Sequence, residues 1–562
     1  MTLLLVFCLY ASLIPAAETP GQFAIASAHP LATDAGQEIF KAGGNAFDAA
    51  VAISAVLAVV EPYSSGIGGG GFWLLYSASD QKRVMLDGRE MAPSSASRDM
   101  FLDKTGAIIP GKSINGVFAA GIPGVPAALV HLNEKYGNLS LAQDLAPAIR
   151  YAREGFRVTA LYQHRAKYRL DVLRNQATGA AIFLQDNDVP HTGHLIKQPD
   201  LAHTLELIAE NGRAGFYAGE TADKLVTAVN NAGGHWSLSD LTHYQIVERK
   251  PVIANYRGYT ITSASPPSSG GIVLAQSLAI LEKFDLGHVD AVTRKHLVIE
   301  ALRRAYRDRA AYLGDPDFVK IPLDRILDSE YLAGLADSIS MSQATPSAEL
   351  GDIKTVEPSG HNTTHFSVLD AEGNRVAATL SINLPFGSGF VATGTGVLLN
   401  DEMDDFSIKP LAPNSYGLVG DEANSIAPGK RPLSSMTPTF VENRDRVGIL
   451  GTPGGSRIIS MVLLGVLEMV DGKLPGDWVK LPRYHHQYLP DEVMFEKDAL
   501  SGVEQQRLRD FGYKLHEMDR KYGNMQAILW YKPKDLVFAA SDPRGEGKSV
   551  VSDVKDQPGT KK

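Results

Sequence analysis

The chain has 562 residues, 44% of them apolar and 21% charged, ordinary values for a soluble globular protein with room for two domains or one large one. Asp and Glu number 63 against 54 Lys and Arg, a formal charge of −9. That balance argues against a nucleic-acid binder, which needs a basic face.

Residues 1–17, MTLLLVFCLYASLIPAA, form an apolar run ending in small residues. The run is too short to span a bilayer comfortably and reads as a secretory signal peptide cleaved near Ala17, although no Lys or Arg precedes it. Export to the periplasm or the medium is the expectation. Cys8 is the only cysteine, so a mature chain starting at residue 18 holds none. Disulfides, zinc–thiolate sites and a cysteine nucleophile are thereby excluded. No later stretch reads as a membrane span, since the apolar residues 46–60 are few and interrupted by Asp48.

A first helix is predicted over 33–42, ending at Gly43–Gly44. Asn45 then caps a second, AFDAAVAISAVLAVV, which Pro62 stops. GIGGGG (66–71) precedes the strand-like FWLLY. Because a strand rather than a helix follows, it is no dinucleotide fingerprint, and close packing of helix on sheet explains it. Residues 103–354 read as mainly helical. Within them ALRRAYRDRAAYL (301–313) is an amphipathic helix whose arginines form a solvated or ion-paired face. Beyond Pro358, alternating β-branched segments at 366–369, 376–382, 447–450, 526–531 and 536–540 predict a strand-rich final third. Residues 409–430 are rich in Pro, Gly and Asn with little periodicity, the composition of a surface loop that is functional or disordered, a lid or an inert connection. His485 and His486 are neighbours in a strand pattern, so they point to opposite faces and read as structural rather than metal ligands. Residues 555–562 read as a frayed tail.

The segment 362–383, NTTHFSVLDAEGNRVAATLSIN, carries the most information. AEGN (371–374) is a turn composition between two strand patterns and predicts a hairpin. Pairing Asp370 with Arg375 would set Thr364 opposite Ser381 and Asn362 opposite Asn383. Hydroxyls and an amide would then gather at one open end of a sheet, an arrangement that suits chemistry and equally a polar strand end.

TTHFSVLDAEGN resembles the segment of γ-glutamyltranspeptidases whose first threonine becomes the N-terminus of the small subunit. Further motifs similar to that family follow in its order, from GGNAFDAA (43–50), GIGGGGF (66–72), DGREMAP (87–93) and PPSSGG (266–271) to NDEMDDF (400–406), RPLSSMTPT (431–439), GTPGGSR (451–457), PRYHHQ (482–487) and SDPR (541–544). The resemblance implies an α/β fold, an αββα sandwich of two stacked antiparallel sheets flanked by helices, of the N-terminal-nucleophile hydrolase type. It implies self-cleavage between Asn362 and Thr363, giving a large subunit (18–362) and a small one (363–562) that stay intertwined as a heterodimer.

By the same resemblance Thr363 is the nucleophile and its freed α-amine, which ordinarily titrates at about 7.7–8.0, the base. Ser381 stands where the family often has a supporting threonine. Asn383, Glu402 and Asp405 match residues at the amino end of the glutamyl group, and Arg89, Ser434 and Ser435 those at its α-carboxylate. Gly454 and Gly455 match the oxyanion donors, and Tyr416 an aromatic residue of a lid. The implied activity is γ-glutamyl transfer from glutathione and related amides to water, amino acids or short peptides, without metal or organic cofactor. Alternatives on the same scaffold are a glutaryl β-lactam acylase, a poly-γ-glutamate hydrolase, or an uncleaved, inactive binding homologue.

Overall fold

The computed structural model describes residues 19–351, 363–410 and 412–553. The signal-like segment with Cys8, Asn362 and the 555–562 tail lie outside the described residues.

Alternation of side chains along the strands builds two stacked sheets, with every neighbouring pair antiparallel. The first runs, edge to edge, Lys548–Asp553, Gln22–Ser27, Thr364–Leu369, Arg375–Ser381, Gly70–Ser77, Lys82–Gly88, Val247–Arg249. The second runs Leu536–Ser541, Gln526–Tyr531, Arg446–Gly451, Thr439–Glu442, Tyr259–Ser263, Val252–Tyr256. In the first sheet Trp73, Leu75, Phe366 and Val368 pack with the helices Pro30–Lys41 and Ala46–Val60, whereas Phe72, Leu74 and Ala377 turn the other way, into a core shared with Phe440, Ile449 and Ile528. The outer face of the second sheet is covered by the helices Gly270–Leu281 and Ile458–Val470. The layers are thus helix, sheet, sheet, helix, the αββα arrangement the resemblance implies. Both sheets mix strands that precede residue 363 with strands that follow it.

Several elements differ from the sequence reading. The first helix starts at Pro30, three residues early, because proline suits the first turn and the His29 side chain accepts from the Leu31 N–H at 3.2 Å. The second helix is as predicted, with a reciprocal capping box between Asn45 and Asp48. The glycine run packs backbone on backbone rather than helix on sheet. A Cβ on Gly69 would lie 2.2 Å from the Ser381 carbonyl oxygen, and one on Gly68 2.1 Å from that of Leu398. Within 103–354 the chain also forms short strands, Val247–Arg249 and Val252–Tyr256 at sheet edges and Tyr259–Ser263 one place further in. Of the two alternatives for the arginines of 301–313, Arg303 and Arg304 take the second, being buried and ion-paired with Glu300.

The hairpin has a different register from the one predicted. Arg375 pairs with Leu369 and Leu380 with Thr364, so continuing the count places Ser381, rather than Ile382, opposite Thr363. The reason is Asp370, which leaves the strand to organise the turn. Its carboxylate accepts from the N–H groups of Glu372 (3.0 Å), Asn374 (2.9 Å) and Ala46 (3.0 Å) and from the Asn374 amide (2.9 Å). The bond to Ala46 also ties the turn to the first turn of the Ala46–Val60 helix. Replacing Asp370 with Ala strips four donors of their acceptor and should destabilise the protein by about 2–4 kcal/mol, read as a lower unfolding midpoint in urea.

Candidate active site

Thr363 stands just before the Thr364–Leu369 strand, 6% exposed, and lines two separate hollows. One is bordered by Arg89, Ser381, Asn383, Glu402, Asp405, Tyr416, Ser434, Ser435 and Gly455. Gly454 lines the other. Every predicted site residue within the described chain therefore meets around Thr363, although they lie as far apart in sequence as Arg89 and Gly455.

Local backbone features place them. Asn383 has φ of +72°, a left-handed conformation that asparagine tolerates better than most residues. It is held there by its N–H donating to Ser381 Oγ at 2.8 Å and its side-chain amide donating to the Asp401 carbonyl at 2.9 Å. The acidic motif folds into a short 3-10 turn, Glu402–Asp405. Asn400 pins that turn to the glycine run, its amide oxygen accepting from Glu402 N (3.0 Å) and Gly121 N (2.9 Å) while its NH2 donates to the carbonyls of Gly68 and Gly121, both at 2.8 Å.

The electrostatics centre on Arg89, which is 1% exposed. Its Nη1 donates to Glu402 at 2.6 Å, its Nη2 pairs with Asp405, and its Nε donates to the Pro432 carbonyl at 3.1 Å. A third carboxylate, Glu90, lies 3.5 Å from Nη1. Burial opposes the charge on Arg89, but the three acids outweigh it and raise its pKa. They also repel one another. Burial first, then the Asp405 charge, push the Glu402 carboxyl up to about 7, against the pull of Arg89 and a hydrogen bond from Ser381. Burial likewise raises Glu90 well above the usual carboxylate range. Of the three, Glu402 and Asp405 line the hollow itself, where they share the one guanidinium of Arg89.

Tyr416 is 5% exposed, with its hydroxyl donating to the Asn383 carbonyl at 2.8 Å. Its ring lies on Gly455, where a Cβ would come within 2.1 Å of it, so the glycine is required by contact as well as by its φ of +60°. Asn414 joins this segment to the acidic turn, its NH2 donating to Asp405 Oδ1 at 2.9 Å and its oxygen accepting from Tyr416 N at 2.9 Å. Leu411 of the same loop lies outside the described residues.

His485 and His486 are fully buried and each is hydrogen-bonded, His485 to Ser460 Oγ (2.8 Å) and Gln487 (2.8 Å), His486 to Asp491 (3.3 Å). Burial lowers both pKa values, as befits neutral structural imidazoles. Two sets of residues escaped the sequence reading. Arg309 reaches Ser435 Oγ at 3.4 Å and Ser269 Oγ at 3.0 Å, beneath the serine pair. Glu61, Tyr63, Arg165 and Asn524 line the second hollow. The one available signal was Glu61, a carboxylate directly after a fifteen-residue apolar helix, where a charge is out of place.

A protein-family model described as gamma-glutamyltranspeptidase matches residues 32–552. The chain is 42% identical over 528 residues to a glutathione hydrolase proenzyme of Escherichia coli (strain K12), covering 92% of this chain and 90% of that protein. It is 43% identical over 540 residues to one from Pseudomonas sp. (strain A14), covering 92% of each. Among solved structures, a cephalosporin acylase from Bacillus halodurans superposes with a TM-score of 0.83 at 28% identity, covering 97% of both chains.

Replacing Arg89 with Ala would leave Glu402, Glu90 and Asp405 buried without their cation, a loss of about 3–5 kcal/mol. Glu402 already titrates near 7 when folded, above its unfolded value, so its contribution is favourable at low pH and is lost as pH rises through 7. Removing Arg89 raises that folded pKa further. The deficit of the variant, measured by urea unfolding, should therefore be larger at pH 8 than at pH 5.

Proposed function

The chain belongs to the γ-glutamyltranspeptidase family, and we propose that the cleft around Thr363 carries γ-glutamyl acyl transfer. The enzyme takes the γ-glutamyl group of glutathione or a related amide onto the Thr363 hydroxyl and passes it to water, an amino acid or a short peptide. The observation that carries this reading is the charge of the first hollow. Glu402 and Asp405 both line it beside Arg89, and two acids sharing one arginine suit a ligand that brings a cation, as the α-ammonium of a γ-glutamyl group does.

In this reading Arg89, Ser434 and Ser435 take the α-carboxylate, while Glu402, Asp405 and Asn383 take the ammonium end. Glu402 and Asp405 then exchange part of their interaction with Arg89 for one with the substrate. Ser381, beside Thr363 on the hairpin, supports the nucleophile. The N–H groups at Gly454–Gly455 receive the oxyanion, an interaction whose loss raises a barrier by about 3 kcal/mol. Tyr416 closes the glutamyl hollow and limits entry of water to the ester. No cofactor takes part.

The base for Thr363 is its own α-amine, which exists only after the Asn362–Thr363 bond is broken. The threonine hydroxyl attacks the Asn362 carbonyl, the acyl group moves from nitrogen to oxygen, and water opens the ester, giving subunits 18–362 and 363–562. Both sheets combine strands of the two chains, which keeps them together. No helix among the described residues is long and apolar enough to cross a membrane, and with the signal-like N-terminus this supports a periplasmic or secreted enzyme. A glutaryl acylase on the same scaffold fits less well, because a glutaryl group brings no ammonium to the acids.

Purified protein should separate into two chains, the smaller beginning Thr-Thr-His-Phe, and Thr363→Ala should remain a single chain. Cleavage of that variant at the same bond would show that an external protease does the work. Asp405→Asn should lower kcat/KM for a γ-glutamyl anilide by about 10–150-fold, equivalent to 1.5–3 kcal/mol, and affect a glutaryl anilide less. Equal losses on both substrates would refute the ammonium role.

A further inference from the structure

Acyl transfer to an amine needs two places beside the nucleophile, one for the acyl group and one for the amine that leaves or enters. The two hollows have only Thr363 in common. The first holds the acids and Arg89. The second is walled by Glu61, Tyr63, Arg165, Asn524 and Gly454, and none of these has a part in the reading above except Gly454. Glu61 is the residue in it whose chemistry matters most.

Glu61 ends the Ala46–Val60 helix, its N–H donating to the Leu57 carbonyl at 2.9 Å, and is 2% exposed. Its Oε2 accepts from Thr364 Oγ1 at 2.7 Å. The register of the hairpin turns Thr364 toward the helices, so the carboxylate is anchored one residue from the nucleophile.

We propose that the second hollow is the site of the leaving and entering amine, and that Glu61 is a catalytic residue that takes a proton from the ammonium of an amino-acid or short-peptide acceptor. This rests on the γ-glutamyl reading of Thr363. The acceptor arrives as an ammonium. The Glu61 carboxylate takes one proton and becomes the acid, freeing the nitrogen lone pair, which attacks the carbonyl of the Thr363 ester. The carbon–Oγ1 bond breaks, and the second proton passes from nitrogen through the Thr363 α-amine to Oγ1. Glu61 then releases its proton to water. The sum is ester plus ammonium giving amide, hydroxyl and one proton.

The acidity of Glu61 suits the task. Burial pushes its carboxyl up to about 7, with Glu546 adding to the rise, while Thr364, Arg165 and Tyr63 favour the anion. Arg544, also on the wall, is turned to Glu496 and Asp542. A value of about 7 lies within about one unit of an α-ammonium, so the proton exchange is nearly balanced.

The test is the ratio of transfer to hydrolysis products from a γ-glutamyl anilide at pH 7. Both products come from one acyl-enzyme, so changes in acylation cancel. In matured Glu61→Gln the ratio should fall at least tenfold with glycylglycine, which is mostly an ammonium. It should fall less than threefold with hydroxylamine, which is largely uncharged and needs no base. An unchanged ratio with glycylglycine, or equal losses with both nucleophiles, would overturn the assignment. Should Glu61→Gln fail to mature, Tyr63→Phe provides the second measurement. It removes a hydrogen bond that favours the Glu61 anion, so the pH midpoint of the glycylglycine ratio should move upward, and a midpoint that stays in place overturns the proposal. A wild-type protein that releases no anilide would instead bring down the γ-glutamyl reading itself, and this one with it.

Discussion

Asp370 decides which face of the first sheet each residue of the hairpin occupies. By giving its carboxylate to four donors in and beside the turn, it withdraws from the ladder and fixes the pairing of Leu380 with Thr364. With a period of two, that pairing sends Phe366 and Val368 to the helical core and His365 and Ser367 to the second sheet. Thr364 goes with the first group and meets Glu61. Thr363 goes with the second and stands beside Ser381. A slip by one residue would bury the opposite set and separate Thr363 from its partners.

The same site carries a charge imbalance that only close backbone packing permits. Gly68 to Gly71 let the chain run against Leu398 and Ser381 without side chains between them, and Asn400 then bonds the glycine run to the acidic turn. Glu402 is thereby held against Arg89 whether or not the contact is favourable. Arg89 has two further acids to satisfy, so each carboxylate receives less than a full counter-charge. A cluster of this kind relaxes either by taking up protons or by taking up a cation.

Much of this was legible in the sequence. The residues that now surround Thr363 sit in short motifs whose order could be read directly, and Asn45 announced its helix. The αββα layering followed from the resemblance alone, while strands such as Gln526–Tyr531 could be read from their alternation. What stayed hidden has physical causes. An aspartate before AEGN serves equally as the last strand residue or the first turn residue, so the register was undetermined until the Ala46 contact existed. The strands Val252–Tyr256 and Tyr259–Ser263 are five residues each and lie next to predominantly helical chain. Arg309 looked like one arginine among several on an amphipathic face, and its contact with Ser435 spans 126 residues. Glu61 resembled a helix terminus, and only the hairpin register gives it a neighbour in Thr364.

The likeness to a cephalosporin acylase, at a TM-score of 0.83, means that this scaffold by itself does not select an acyl group. The selection must reside in side chains lining the hollows, and there the energetics of the empty site matter. Glu402 titrates near 7 because it is buried, with the Asp405 charge adding to the rise, so an α-ammonium placed beside it favours the anion and offsets part of that cost. A ligand without that ammonium recovers none of it and still has to displace Glu402 and Asp405 from Arg89. In the proposed reading, discrimination between γ-glutamyl and glutaryl groups on this scaffold follows from the two acids, Glu402 and Asp405, that line the hollow beside Arg89. The same logic applies across Thr363. In the proposed reading, the second hollow places the Glu61 carboxylate where an amine would stand, so the two sides of one threonine sort by charge the acyl group that forms the ester and the amine that attacks it.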